Sequence, residues 1–345
     1  MRRALYAMFE IVLLGTSASA PSIHRGLSAQ IVMVKDQRFL IDCGEGTQRQ
    51  ILRSRIGFKR LNRVLLTHGH LDHILGLAGL LSTLMRWESL HSLEIWGGTW
   101  TLDRVQDLIH TVVLRGATPP MPLHLIDLKP GVLLEDRDYS VSAFPVQHRG
   151  RDNFGFAFTE KSRRPFLVEQ AEALGVPVGP ERARLVRGES IRLDDGRVIA
   201  PDDVLGPDVP GAKLVYIGDI GAFDDAVREV VRGAHTLVIE GTYLDVDAEM
   251  ADAFGHMTVG RAARFAHEMG VGTVILTHVS RRYRERDIIR EAEQHHPHAF
   301  VARDFDRFLI AKGRLAQKID SSAHPVEDDD SAHLDDLELT PLEGQ

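Results

Sequence analysis

The five residues Val64-Leu65-Leu66-Thr67-His68 return in the second half of the chain as Val274-Ile275-Leu276-Thr277-His278. Each is a short apolar run that stops at Thr-His. Apolar runs this short, rich in branched side chains, read as buried strands. The runs LVYIGD (214–219) and TLVIE (236–240) read the same way. Helical patterns lie between them. In 73–86, Ile74, Leu77, Leu80, Leu81, Leu84 and Met85 share one face, and 259–269 and 285–293 are also helical. Strands and helices alternating in two echoing halves predict a two-fold α/β architecture. No solenoid period appears.

The first twenty residues, MRRALYAMFEIVLLGTSASA, imitate a secretory leader, with two arginines, an apolar centre and an A-x-A ending. Glu10 interrupts that centre, however, and AQIVMV follows at hairpin-like distance. FEIVLLG is therefore expected to be a buried first strand. The single cysteine, Cys43, excludes an intramolecular disulfide, is expected to be buried packing, and fits a reducing, cytoplasmic location. No run of 18 or more apolar residues exists, so no membrane-spanning helix is expected. The net charge of −8 is misleading, because residues 319–345 hold nine acidic residues and no Lys or Arg. Those nine charges turn −8 overall into +1 for residues 1–318. The expectation is a folded domain over 1–312 and a disordered acidic tail over 313–345. A nearly neutral body restricts any polyanion site to a local patch.

The stretch THGHLDH (67–73) packs His68, His70, Asp72 and His73 into six positions. Elsewhere, SAFPVQ leads to His148, KLVYIG to Asp219 and TVILT to His278. Ligands of α/β folds bind beyond the carboxyl ends of strands, where these residues fall. Any one of them alone reads as well as a satisfied histidine or a capping aspartate; the joint pattern reverses that reading. A catalytic zinc takes about three protein ligands and keeps one position open. Seven candidates suit two ions, three ligands each with one carboxylate shared. Nitrogen-rich donors with carboxylates and no usable thiolate favour zinc, with manganese or iron as alternatives.

His-x-His-x-Asp-His resembles the signature of the metallo-β-lactamase superfamily, which implies an αββα sandwich and a dinuclear hydrolytic centre. DCGEGTQRQ (42–50), THGHLDHILGL (67–77), His148 followed by Phe154-Gly155-Phe156, LGVPVGPERARLVRGESIRLDDG (174–196) and ILTHVSRRY (275–283) are similar to the ribonuclease Z family of tRNA 3′-processing endonucleases, over roughly residues 9–310. That resemblance implies His68, His70 and His148 on one ion, Asp72, His73 and His278 on the other, and Asp219 between them. It implies a bridging hydroxide as nucleophile, oriented by Asp72, and a 3′-OH product. His256, in FGHMTVGRAA, would protonate the leaving 3′ oxygen, and Glu240 would hold His256 charged. Asp42 is expected to orient a ligand histidine from behind, with Ser280 and Arg282 of the Ser-x-Arg-Tyr motif supporting the same site.

The segment 160–212 interrupts the strand pattern with many turn residues and few strong apolar ones. It holds Gly179-Pro180 and then Arg182, Arg184 and Arg187. It resembles the protruding arm by which the family grips precursor tRNA, where arginine–phosphate contacts give shape-based, salt-sensitive binding. The bland reading is a surface insertion without function; residues 161–198 carry eight Lys/Arg against six Asp/Glu. Arg25 in PSIHRG (21–26) occupies the place of a basic loop near the tRNA 3′ end, with Gly26 where the family has asparagine. Gly-Asp-Ile at 218–220 and Ile-Glu-Gly-Thr at 239–242 replace Gly-Asp-Thr and His-Glu-Ala-Thr. Two other classes compete: a metallohydrolase for small phosphodiesters, sulfate esters or lactones, and a non-catalytic RNA-binding relative. The arm-like insertion counts against the first and the full ligand set against the second. The family resemblance also implies a homodimer, of which the sequence gives no independent sign.

Overall fold

The computed structural model describes residues 7–87 and 90–319. FEIVLLG forms β1 (Phe9–Gly15), and it is apolar on both faces because both are covered. Ile11 and Leu13 enter one core cluster, while Val12 and Leu14 enter another. β2 (Ala29–Val34) and β3 (Gln37–Ile41) continue as an antiparallel meander. β4 (Arg63–Leu65), β5 (Leu93–Gly97) and β6 (Leu123–Asp127) then add in parallel. The second sheet begins with the antiparallel strands β7 (Gly131–Glu135), β8 (Tyr139–Pro145) and β9 (Phe154–Glu160). After a small hairpin of β10 (Ile191–Arg192) and β11 (Val198–Ile199), β12 (Lys213–Tyr216) pairs antiparallel with β9. β13 (Thr236–Glu240), β14 (Thr273–Thr277) and β15 (Ala299–Val301) extend it in parallel. β16 (Arg307–Ile310) and β17 (Gln317–Ile319) return to the first sheet beside β1.

Between the sheets lie Phe9, Phe39, Phe156, Phe158, Tyr216 and Phe308, all essentially inaccessible. Phe39 and Phe158 meet edge to face with centroids 5.4 Å apart, the arrangement aromatic quadrupoles favour. Helices Thr47–Arg53, Gly76–Trp87 and Thr99–Gln106 bury Ile51, Leu77, Leu80, Leu81, Leu84 and Val105 with the outer side of the first sheet. Helices Asp225–Val231, Val259–Glu268 and Glu285–Glu293 bury Val227, Ala262, Phe265 and Ile288 with that of the second. The result is the expected αββα sandwich, with the two echoing strands β4 and β14 in opposite sheets.

Three details differ from the sequence reading. The helix expected over 73–86 is two helices, Leu71–Ile74 and Gly76–Trp87. The break falls where the Gly76 amide donates to the Cys43 carbonyl (2.8 Å). Gly44 abuts the Asp72 carbonyl so closely that a methyl group there would collide with it. VLLTH keeps only Val64 and Leu65 in the ladder, within Arg63–Leu65, and the Thr67 amide is taken by the Asp42 carboxylate. The folded part also runs past residue 312, since Gln317–Ile319 is a strand and the Ala316 amide donates to Thr273 Oγ1 (3.0 Å). The acidic segment from residue 320 onward lies outside the described residues. Among the described residues no helix is long and apolar enough to cross a membrane.

The insertion is folded. Helices Val168–Ala173 and Pro180–Val186 and the β10–β11 hairpin enclose a small core of Ala171, Val176, Leu185, Ile191, Ile199 and Val204. Its apolar residues were hard to read because each short element contributes only one or two of them.

Candidate metal centre

The parallel strands of both sheets end at one edge of the sandwich, and the seven candidate ligands converge there. His68, His70, His148 and Asp219 form one group whose nitrogen and oxygen donors all lie within 4.8 Å of one another. Asp72, His73 and His278 form a second such group. Asp219 reaches both: Oδ2 is 3.7 Å from His68 Nε2 and 3.6 Å from His148 Nε2, and Oδ1 is 3.5 Å from His73 Nε2 and 3.4 Å from His278 Nε2.

The outer nitrogens are anchored by the protein. His73 Nδ1 donates to Asp42 Oδ2 (2.8 Å), His148 Nδ1 to the Gly255 carbonyl (2.8 Å), His68 Nδ1 meets Thr67 Oγ1 (3.0 Å), and His278 Nδ1 meets Thr242 Oγ1 (3.0 Å). Such partners fix the tautomer and turn the other nitrogen inward with its lone pair. Inward, His73 Nε2 and Asp219 Oδ1 are buried and meet no hydrogen-bond partner, and His68 Nε2 stands 2.9 Å from His70 Nδ1. Two imidazole lone pairs that close need a proton or a cation between them. The donor set therefore fits divalent ions, which satisfy these atoms at once.

The electrostatics agree. Burial, with neighbouring histidines, holds His68 well below its ordinary pKa, lowers His148, and lowers His70 to about 4, so these rings are neutral. Burial opposes ionisation of Asp219 and Asp72 as well, but the facing histidines win and hold both carboxyls well below the usual range. His73 is the exception: burial opposes its charge, yet Asp219 and Asp42 raise its pKa well above normal. The field at that position favours a positive charge, which an ion can supply in place of the proton.

Behind the ligands stand two similar relays. The Asp42 carboxylate, wholly buried, accepts from the Thr67 amide (2.8 Å), Thr67 Oγ1 and His73. Asp42 sits at φ 56°, a left-handed conformation costing of order 1–3 kcal/mol. Each hydrogen bond to a charged group contributes about 1.5–3 kcal/mol, so the three bonds outweigh the strain. On the other side, Glu240 accepts from Thr242 Oγ1, the Ile220 amide (2.6 Å) and His256 Nδ1 (3.0 Å). His278 is itself left-handed, at φ 51°. Thr67 and Thr242 were not singled out from sequence; the signal for Thr67 lay in the Thr-His echo. Cys43 is fully buried, which pushes its thiol up to about 12 and leaves it an inert packing group.

Other expected residues fall elsewhere. Ser280 accepts from the Arg282 amide, and the Arg282 guanidinium lies 4.0 Å from Asp247, half exposed; the bonds recorded for them reach no ligand histidine. Thr242 fills the support role expected of them. Arg25 is turned inward to Thr16, the Ala302 carbonyl and Glu285 (3.0 Å), and Gly26 is held by Asp304, so this loop is braced rather than presented. In the insertion, Gly179 is the residue before helix Pro180–Val186. Arg182 caps the Val176 carbonyl and lies against Phe166, while Arg184 and Arg187 both pair with Glu189, at 3.0 and 3.2 Å. The segment 182–188 lacks an acid, but the next residue supplies one.

The fold and this cluster define a metal-dependent hydrolase of the β-lactamase superfamily, whose domain description matches residues 37–168 and 183–279. A ribonuclease Z of Bradyrhizobium diazoefficiens is 45% identical over 303 residues, covering 88% of this chain and 100% of that protein. One from Haloferax volcanii is 38% identical over 302 residues, covering 86% and 93%. Among solved structures, the short form of human tRNase Z gives a TM-score of 0.62 at 24% identity, over 86% of this chain and 98% of that one. A metallo-β-lactamase fold protein of Bacillus subtilis gives 0.61 at 18% identity, over 87% and 98%. The chain belongs to the ribonuclease Z family.

Proposed function

We propose that the protein is an endoribonuclease that removes the 3′ trailer of precursor tRNA by hydrolysing one phosphodiester and leaving a 3′-OH. The observation that carries this reading is a seven-donor cleft joined to a His256–Glu240 pair in a chain that matches ribonuclease Z along that enzyme's whole length. His68, His70 and His148 would hold one ion, Asp72, His73 and His278 the other, with Asp219 shared. Nitrogen-rich donors favour zinc, with manganese or iron as alternatives. When bound, two such ions supply an activated water and neutralise charge on the scissile phosphate. Asp72 orients the attacking water. His256 gives its proton to the departing 3′ oxygen. Burial works against the charged form of His256, but Glu240, with Asp219 and Asp72, lifts its pKa to about 9, so the proton is present at neutral pH. Glu240 positions that ring and, through Thr242, also His278. The insertion grips the tRNA body. A homodimer in the cytoplasm completes the proposal, on the family resemblance and on a lone, unpaired Cys43; light scattering on the eluting protein tests the dimer.

The test is cleavage of a 3′-extended precursor tRNA by protein loaded with zinc or manganese, beside Asp72→Ala and the small diester bis-p-nitrophenyl phosphate. A cut near the discriminator base, where the trailer begins, lost in Asp72→Ala, is expected. Hydrolysis of the small diester without any tRNA product would keep the metal chemistry and overturn the substrate.

A further inference from the structure

The loop that carries His148 continues as Arg149-Gly150-Arg151, exposed beside the cleft. No acidic partner is recorded for either arginine among the described residues. On one side the Arg149 guanidinium lies over the Phe254 ring, 6.0 Å from its centroid. Phe254 is 48% exposed and sits two residues before His256. On the other side Gly150 faces the Trp100 ring, which a methyl group there would touch at 3.7 Å. Trp100 in turn carries the Arg104 guanidinium at 4.8 Å, and Arg104 donates to the Gly69 carbonyl (2.7 Å) between His68 and His70. The neighbouring acid, Asp152, is engaged by the Trp100 amide (3.2 Å). Two aromatic–cation pairs, Phe254 with Arg149 and Trp100 with Arg104, are thus joined through Gly150 into a short ladder at the rim of the first ligand group, with Arg151 next in the chain.

We infer that this ladder is a binding site for the single-stranded nucleotides that flank the scissile phosphate. The inference rests on the RNA reading above. Aromatic faces stack any base, and arginines neutralise backbone phosphate, so such a rim grips a strand without reading its sequence. A paired base has both faces covered by its neighbours and cannot stack on a protein ring. The rim therefore accepts unpaired nucleotides and favours the junction where the stem ends. Phe254, close to the proton donor His256, lies on the leaving-group side and takes the retained nucleotide; Trp100, at the other end, takes the trailer.

The experiment compares Phe254→Leu, Trp100→Leu and the double variant Arg149→Gln/Arg151→Gln with the metal-loaded parent. Leucine preserves apolar packing and removes the stacking face. For precursor tRNA, kcat/KM is expected to fall about tenfold per variant, within the range of one lost base stack, while hydrolysis of bis-p-nitrophenyl phosphate falls less than about threefold. Equal loss on both substrates would show that these residues merely support the metal site, and no loss on either would show that the rim is idle; each result overturns the inference. A binding arm separates this from failure of the tRNA reading. Anisotropy of a labelled, 5′-phosphorylated single-stranded oligoribonucleotide should report about tenfold weaker binding by each variant. In Arg149→Gln/Arg151→Gln the slope of log K against log salt should shrink by about 1.4, two phosphate contacts at ~0.7 each. Unchanged binding and slope would overturn the inference even if the parent cleaves tRNA; the expected changes would sustain it even if the parent does not.

Discussion

The metal cleft and the insertion are built on opposite plans. In the cleft the structural devices reduce freedom: the outer nitrogens of His68, His73, His148 and His278 are bonded, the carboxylates of Asp42, Asp219 and Glu240 are buried, and Asp42 and His278 hold left-handed backbone because their partners over-determine it. The insertion has its own six-residue core and keeps the exposed Arg184 and Arg187 on a helix and at its end, which among the described residues make no bond to the cleft. Chemistry that tolerates little misplacement sits on the ends of core strands, and recognition sits on a separable piece. If that division is real, changes in the cleft should damage every substrate, and changes in the insertion only the large one.

His256→Ala sharpens the comparison most, because His256 belongs to the cleft yet its role depends on the leaving group. Loss of a general acid costs about 10²–10⁴-fold. Precursor tRNA, whose 3′ oxygen departs poorly without a proton, should show that loss in kcat. Bis-p-nitrophenyl phosphate releases a stable phenolate and should lose less than about tenfold. Equal losses on both would mean that His256 supports the ligands rather than donating a proton.

The two relays give a smaller, cleaner contrast. Thr242→Val removes the hydroxyl that links His278 to Glu240 and keeps the side-chain shape. Partners of this kind are worth about 10–100-fold in metal affinity, so competition with a chelator should show that loss. Thr277→Val is the control. Thr277 Oγ1 is buried without a partner, so its removal should leave metal affinity within about threefold and not lower the melting temperature. A Thr242→Val protein that binds metal normally would mean that packing alone orients His278.

These two threonines show how far the sequence could be read. Ligand types at strand ends were legible because short apolar runs and polar stops are local patterns, and the αββα layers followed from the same runs. The echo of Thr67-His68 in Thr277-His278 marked the right strands and the right histidines but carried no sign of which hydroxyl supports each ring. Thr67 holds the Asp42 relay, whereas the Thr277 hydroxyl meets no partner and Thr242 serves His278. Which hydroxyl meets a ring depends on how neighbouring strands register, and β13 beside β14 is a non-local pairing. The surroundings of Arg25 and Arg282 were hidden from the sequence for a related reason. A charged residue near a motif looks like a contact until the fold shows whether an inward carboxylate such as Glu285 has taken it.

The smallest effect tests whether the insertion's arginines meet RNA at all. Glu189 binds Arg184 and Arg187 together, and those bonds hold its carboxyl below the ordinary range. All three groups are exposed, so the pairing adds little to stability. It does compete with phosphate. Glu189→Gln should leave the melting temperature and small-diester hydrolysis unchanged. It should tighten precursor tRNA binding less than about threefold and steepen the salt dependence by no more than about one phosphate contact. Weaker binding would assign Glu189 the opposite task, holding the two guanidinium groups in the geometry that RNA requires. Arg184→Gln/Arg187→Gln then separates the remaining cases. If it weakens tRNA binding and flattens the salt slope, the pair is a contact that Glu189 restrains; if it changes neither, the insertion grips through its shape and these arginines serve only to balance Glu189.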